Sequence, residues 1–251
     1  MTQYVDAEDG VTIAYEVEGA GPPVVLLHGF GSNRVINWKS TLWYQTLARA
    51  GRRVIAIDCR GHGESGKPHN PEAYDEGRMA ADVTTVLDDV GITRADIMGY
   101  SMGGFLAIRL MHDAPLRVAR TVLAGLGDNY FHTTREWAEV IADGLLAPDA
   151  ASIANPLAKD FRIFCERAGN DLKAMAACVL RPRRTFAPAE LKLLPHKVLV
   201  VCGADDTLTG PPEPLASAFA DSRAVVVPRR NHHSTVGDRV YKDAVLEFLA
   251  D

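Results

Sequence analysis

The chain has 251 residues, an apolar fraction of 47% and a formal net charge of −5. That length and composition suit one large globular domain, or one domain with an insertion. The negative balance argues against nucleic acid as a partner, and no apolar run approaches the ~18 residues that a membrane span needs. The polar, acidic stretch Met1 to Gly10 has no signal-peptide pattern. The four cysteines, Cys59, Cys165, Cys178 and Cys202, are scattered and include no C-x-x-C pair. They indicate neither a zinc site nor a disulfide framework, and are expected to be buried thiols in a cytoplasmic protein.

Residues 2–8 and 11–18 read as two strands joined by Asp9-Gly10, a hairpin signal. Val24 to Leu27 is continuously apolar, as a strand buried on both faces reads. His28-Gly29-Phe30-Gly31 follows it, a loop whose glycines let backbone N–H groups face a ligand. His28 itself reads as structural. Trp38 to Ala50 reads as one helix and Arg53 to Asp58 as a strand. The glycine-rich Asp58 to Gly66 lacks the G-K-[ST] ending of a phosphate-binding loop and is expected to rim the site. Asp75 to Val90 reads as an amphipathic helix.

Residues 95–110, ADIMGYSMGGFLAIRL, organise the rest. A short buried strand runs directly into an apolar helix, with Ser101 at the junction. Gly99-Tyr100-Ser101-Met102-Gly103 fits G-x-S-x-G, the nucleophile elbow. So sharp a turn forces positive φ on the serine, and glycines on either side relieve collisions. It also aims the first helical N–H groups at the site.

Val118 to Leu123 reads as a further strand. About Asn129 to Phe186 reads as short helices broken by Pro148, Pro156, Gly169 and Pro182. Such a segment would lie over the sheet as an insertion. Its basic run, Arg181-Pro182-Arg183-Arg184, reads as a solvated hinge rather than an anion site. Strands are expected again at Lys197 to Gly203 and Ala224 to Val227, and helices at Glu213 to Ala220 and Arg239 to Ala250. Alternating strands and helices give an α/β domain with a mostly parallel, doubly wound sheet of about eight strands.

The loops after successive strands carry the 28–31 glycines, Ser101, Asp205-Asp206 and His232-His233. In an open parallel sheet these loops converge on one edge. A serine needs an imidazole to take its proton, the imidazole needs a carboxylate, and the oxyanion needs fixed donors. Asp206, Asp205 and Asp128 are the candidate acids, and His232 and His233 the candidate bases.

Five motifs together resemble the α/β-hydrolase fold superfamily over essentially the whole chain. They are His28-Gly-Phe-Gly31, Asp58-Cys-Arg-Gly-His-Gly-Glu-Ser65, Gly99-Tyr-Ser-Met-Gly103, Gly203-Ala-Asp-Asp206 and Asn231-His232. The chain order Ser…Asp…His is that superfamily's. The resemblance implies Ser101 as nucleophile, Asp206 as acid and His232 as base, with His233 facing elsewhere. It implies an oxyanion hole from the N–H groups of Phe30 and Met102. It implies a core of residues 1–128 and 187–251 and a small helical cap at 129–186. Phe131 and Trp137 are expected to line an apolar acyl pocket.

The activity implied is a carboxylesterase-type serine hydrolase acting on small to medium acyl esters, with no metal and no cofactor. Carbon–carbon bond hydrolysis, perhydrolysis and a non-catalytic binding or receptor role are the alternatives on this fold. The expected partner is a small-molecule substrate, with no nucleic acid and no membrane. The sequence carries no signal of oligomeric state.

Overall fold

A computed structural model describes residues 1–250. Its strands are β1 (Thr2–Asp6), β2 (Thr12–Glu18), β3 (Pro23–Leu27), β4 (Arg53–Ile57), β5 (Ala95–Tyr100), β6 (Val118–Ala124), β7 (Lys197–Gly203) and β8 (Asp221–Val227). They form one sheet of eight strands in the order β1-β2-β4-β3-β5-β6-β7-β8. β1 and β2 form an antiparallel hairpin, β2 also pairs antiparallel with β4, and every other pairing is parallel. The expected α/β architecture is therefore the observed one.

The helices are α1 (Trp43–Arg49), α2 (Glu76–Asp89), α3 (Met102–Asp113), α4 (Arg135–Leu146), α5 (Pro156–Arg167), α6 (Leu172–Val179), α7 (Pro188–Leu191), α8 (Glu213–Ser217) and α9 (Arg239–Ala250). Successive side chains of a strand point to opposite faces. Val25, Leu27, Ile55, Ile57, Ile97, Leu123 and Val200 thus share one buried cluster with Val83 of α2 and Ile108 of α3. Val24, Leu26, Val54, Ala56, Met98, Val122 and Val201 share the other with Leu47 of α1 and Val245 of α9. The apolar runs of the central strands are continuous because both faces are covered.

Three elements depart from the sequence reading. The single helix expected from Trp38 to Ala50 is a π-helical turn, Val35–Lys39, followed by α1. The break is at Leu42, whose φ of 67° no helix continues. In an unbroken helix Trp38 and Trp43 would point roughly 140° apart. The break lets both be fully buried, with ring centroids 6.1 Å apart. α8 stops at Ser217, and β8 begins three residues earlier than Ala224. Its polar start, Asp221-Ser222-Arg223, pairs with β7 along an edge of the sheet, where polar side chains meet water.

Between β6 and β7 the helices α4, α5 and α6 build their own apolar cluster from Ile141, Leu145, Cys165, Met175 and Val179. Thr134, Asn155 and Asp171 cap them by accepting from backbone N–H groups of the first turn. All four cysteines are free and buried. Among the described residues no helix is long and apolar enough to cross a membrane.

Candidate active site

Ser101 stands at the β5–α3 junction with φ 51° and ψ −111°. That is a strained conformation for a side-chain-bearing residue, costing about 1–3 kcal/mol. The flanking glycines matter for a reason more specific than proximity to the serine. A Cβ on Gly99 would lie 2.2 Å from the Gly103 carbonyl oxygen, and one on Gly103 would lie 2.1 Å from that of Leu27. The helix start is thus pressed onto β5 and β3. The Ser101 N–H is anchored to the Ala124 carbonyl at 2.8 Å. The side chain is left at the wall of a cavity of about 710 Å³, making no hydrogen bond to the described residues.

His232 and Asp206 reach the same cavity from the loops after β8 and β7. His232 Nδ1 is 2.9 Å from Asp206 Oδ2. The other carboxylate oxygen, Oδ1, accepts from the N–H groups of Leu208 at 3.1 Å and Thr209 at 3.2 Å. Burial works to raise the pKa of Asp206, but the His232 ring and the donors of Thr209 and Leu208 outweigh it and hold the carboxyl below its usual value. An ionised carboxylate only accepts, so His232 carries its proton on Nδ1 and leaves Nε2 as the free lone pair.

Hydrogen bonds around the His232 backbone fix the loop that carries the ring. The buried Tyr100 hydroxyl donates to the His232 carbonyl. The Asn231 side-chain oxygen accepts from the N–H of His233 at 3.2 Å and of Ser234 at 3.0 Å. The Asn231 carbonyl accepts from Thr235.

The rival residues are placed differently. Asp128 does not line the cavity; its carboxylate lies 3.4 Å from the exposed His132. Asp205 lines the cavity but contacts neither histidine, and its N–H is tied to the Arg230 carbonyl at 2.9 Å. His233, expected to face elsewhere, also lines the cavity, with its ring 5.5 Å from that of Phe164. No carboxylate among the described residues hydrogen-bonds it.

Phe30 and Met102 both line the cavity, and neither N–H has a partner among the described residues. The free N–H of Phe30 lies between two that are tied down. Gly29 N–H donates to Asn37 Oδ1 at 3.1 Å, and Gly31 N–H donates to His62 Nε2 at 3.1 Å. His62 Nδ1 in turn donates to the Arg60 carbonyl at 3.0 Å. His28 does the same one loop away, with Nε2 accepting from Cys59 N–H and Nδ1 donating to the Gly29 carbonyl. Burial disfavours the charged form of both rings, pushing the pKa of His28 down and that of His62 far down. Asn170, between α5 and α6, donates to the Gly31 carbonyl at 2.6 Å.

The 58–66 loop thus clamps the glycine loop. Its own hub is Asp58, which accepts from the N–H groups of Arg34 and Glu64 and pairs with the Arg34 guanidinium. Gly63 is required there, since a Cβ would lie 2.0 Å from the Asp58 carboxylate. Asn37, His62 and Asn170 were not singled out in the sequence reading. Only His62, inside the glycine-rich run, carried a visible signal.

Trp137 lines the cavity together with Leu157, Phe161 and Phe164. Phe131 does not. It precedes α4, its ring stands edge-on to Tyr130 at 5.2 Å, and it packs on the main core. The basic run is solvated only in part, at Pro182 and Arg184. The Arg181 side chain is 1% exposed, with Nε 3.4 Å from a carboxylate oxygen of the equally buried Glu76. Arg181 and Arg183 both line the cavity.

A family model described as alpha/beta hydrolase fold matches residues 22–147. The dihydrolipoyllysine-residue acetyltransferase component of the acetoin cleaving system of Pseudomonas putida is 32% identical over 87% of this chain, which spans 60% of that protein's length. A Bacillus subtilis protein provisionally named 2-succinyl-6-hydroxy-2,4-cyclohexadiene-1-carboxylate synthase is 29% identical over 99% of this chain and 98% of its own. A hydrolase from Pseudomonas aeruginosa superposes with a TM-score of 0.82 at 29% identity, over 100% of this chain and 98% of that one. The matched region holds the glycine loop and the elbow, the sheet has the expected eight mostly parallel strands, and the chain belongs to the α/β-hydrolase fold family.

Proposed function

We propose that the protein is a serine hydrolase that cleaves carboxylic esters of small to medium acyl groups through an acyl-enzyme. The observation that carries this reading is the Asp206–His232 hydrogen bond on the wall of the cavity that Ser101 faces. Ser101 Oγ attacks the ester carbonyl while His232 Nε2 takes its proton. The carbonyl oxygen becomes an oxyanion held by the N–H groups of Phe30 and Met102, which are already oriented and lose no partner. The intermediate collapses, the alkoxide leaves with the proton from His232, and the acyl group stays on Ser101. Water then repeats the sequence and frees the acid. The helices α4–α6 act as a cap that supplies the apolar wall for the acyl chain.

The full-length likeness to the Bacillus subtilis protein supports a second reading, in which the same three residues run non-hydrolytic chemistry on the same fold. One experiment separates them. With a 4-nitrophenyl ester, an acyl-enzyme route gives a burst of nitrophenol equal to the enzyme concentration, or steady turnover, that Ser101→Ala abolishes. Folded protein that gives neither with acetyl, butyryl or octanoyl esters contradicts the ester reading.

A further inference from the structure

Arg183 lies where the insertion returns to the core, on the wall of the cavity that Ser101 faces. Its guanidinium carbon is 5.6 Å from the centroid of the Phe105 ring and 5.7 Å from that of Trp137. Phe105 is on α3, one turn past Ser101, and Trp137 is on α4. The guanidinium forms no ion pair and no hydrogen bond among the described residues, and its buried Nε has no partner. The residue as a whole is half-buried against the cavity, and a charge drawn partly out of water is ordinarily paired.

No nearby charge among the described residues forms an ion pair or hydrogen bond with Arg183. Arg181 forms an ion pair with Glu76 at 3.4 Å, too poorly aligned for a hydrogen bond, and donates to the Cys178 carbonyl through Nη1. Glu76 accepts on its other oxygen from the Arg184 N–H. Arg184 pairs with Glu190 outside. Asp160 and Asp205 line the same cavity without pairing with Arg183. Two arginines face one buried glutamate, and one positive charge is left over at the wall. Loss of water around the group first, then the charge of Arg181, push the Arg183 pKa down to about 9.

We propose that Arg183 is a specificity-determining residue that binds a carboxylate carried by the substrate, so that the preferred esters are monoanionic. This rests on the ester-hydrolase reading above and names its substrate class. Aromatic contacts suit a planar guanidinium, and its N–H edge forms paired bonds to a carboxylate. A single uncompensated charge balances a monoanion. A dianionic phosphoryl group would bring excess negative charge into a cavity that already holds Asp160, Asp205 and Asp206.

The test compares matched aryl esters with and without a carboxylate: 4-nitrophenyl butyrate against the 4-nitrophenyl half-ester of glutaric acid, and phenyl butyrate against 3-butyryloxybenzoic acid. The two pairs place the carboxylate on the acyl or the alcohol side. In the wild type at least one pair should favour the anionic member in kcat/KM. Arg183→Met should cut that anionic-to-neutral ratio by about 10- to 100-fold, and Arg183→Lys should give an intermediate ratio. Arg183→Met should also melt no lower than the wild type, since it removes an unpaired charge. A wild type indifferent to the carboxylate in both pairs, or a ratio unmoved in a folded Arg183→Met, overturns the proposal. So does inhibition by inorganic phosphate stronger than by glutarate monoesters.

Should no ester turn over, the hydrolase reading fails separately. Quenching of tryptophan fluorescence by monomethyl glutarate then decides the matter. Saturable quenching that Arg183→Met abolishes supports the carboxylate site, and its absence in the wild type overturns it.

Discussion

Asp206 Oδ2 and His232 Nδ1 lie 2.9 Å apart although their loops follow different strands, and the carboxylate's other oxygen is held by two backbone N–H groups. The carboxylate is thus oriented by the β7 loop as well as by the histidine. Asp206→Asn should leave the fold intact and lower kcat by about 10⁴, because the amide permits the wrong imidazole tautomer. Asp128→Asn, outside the cavity, should stay within a few-fold of wild type. Steady-state kinetics with one aryl ester decides between them, and a collapse at Asp128 with Asp206→Asn nearly intact would relocate the acid.

The two adjacent histidines should separate by parameter. His232→Ala should lower kcat by up to ~10⁶. His233 lines the cavity and touches Phe164 but no carboxylate, so His233→Ala should act mainly on KM. A kcat loss at His233 as large as at His232 would contradict the assignment.

The aromatic wall gives a contrast between residues close in sequence. Trp137 and Phe161 have rings 5.8 Å apart and both line the cavity. Their Ala variants should shift the chain-length profile of ester hydrolysis by about 1–3 kcal/mol in kcat/KM between short and long acyl groups. Phe131→Ala should leave that profile in place and lower stability instead, since its ring packs on the core. An altered profile in Phe131→Ala alone would reverse the roles.

The buried histidines beneath the glycine loop set an acid limit. Their folded pKa values are depressed by burial, so between the folded and unfolded values the unfolded chain binds more protons. Stability therefore rises with pH through that window and falls as pH drops below the ordinary imidazole value near 6.5. Each ring contributes a slope of at most about 1.4 kcal/mol per pH unit. Thermal melts from pH 7.5 to 5 should show this decline, and nitrogen-15 NMR at pH 6 should show both rings neutral, protonated on Nδ1. A charged His62 at pH 6 would contradict the clamp on Gly31.

The parts of this account legible in the sequence are those written in short local patterns. The elbow needs glycines at positions 99 and 103 because backbone meets backbone there, and the central strands are apolar without alternation because both sheet faces are covered. Roles that depend on which elements meet across the fold were not legible. Arg181 and Arg183 sit in a Pro-flanked basic run that any solvated hinge would share, and only the approach of Glu76, Phe105 and Trp137 buries the first and half-buries the second. Phe131 and Phe161 are equally apolar, and the turn at 128–131 sends the first to the main core. The break at Leu42 answers to the burial of two tryptophans, which neither propensity nor periodicity encodes.

The central claim is that Ser101 forms a covalent acyl-enzyme. Its most direct test is intact-protein and peptide mass spectrometry after treatment with a fluorophosphonate. The account predicts one adduct per chain, mapped to Ser101, absent in Ser101→Ala and much slowed in His232→Ala. Folded protein that stays unmodified, or that carries the adduct elsewhere with Ser101 untouched, would contradict it.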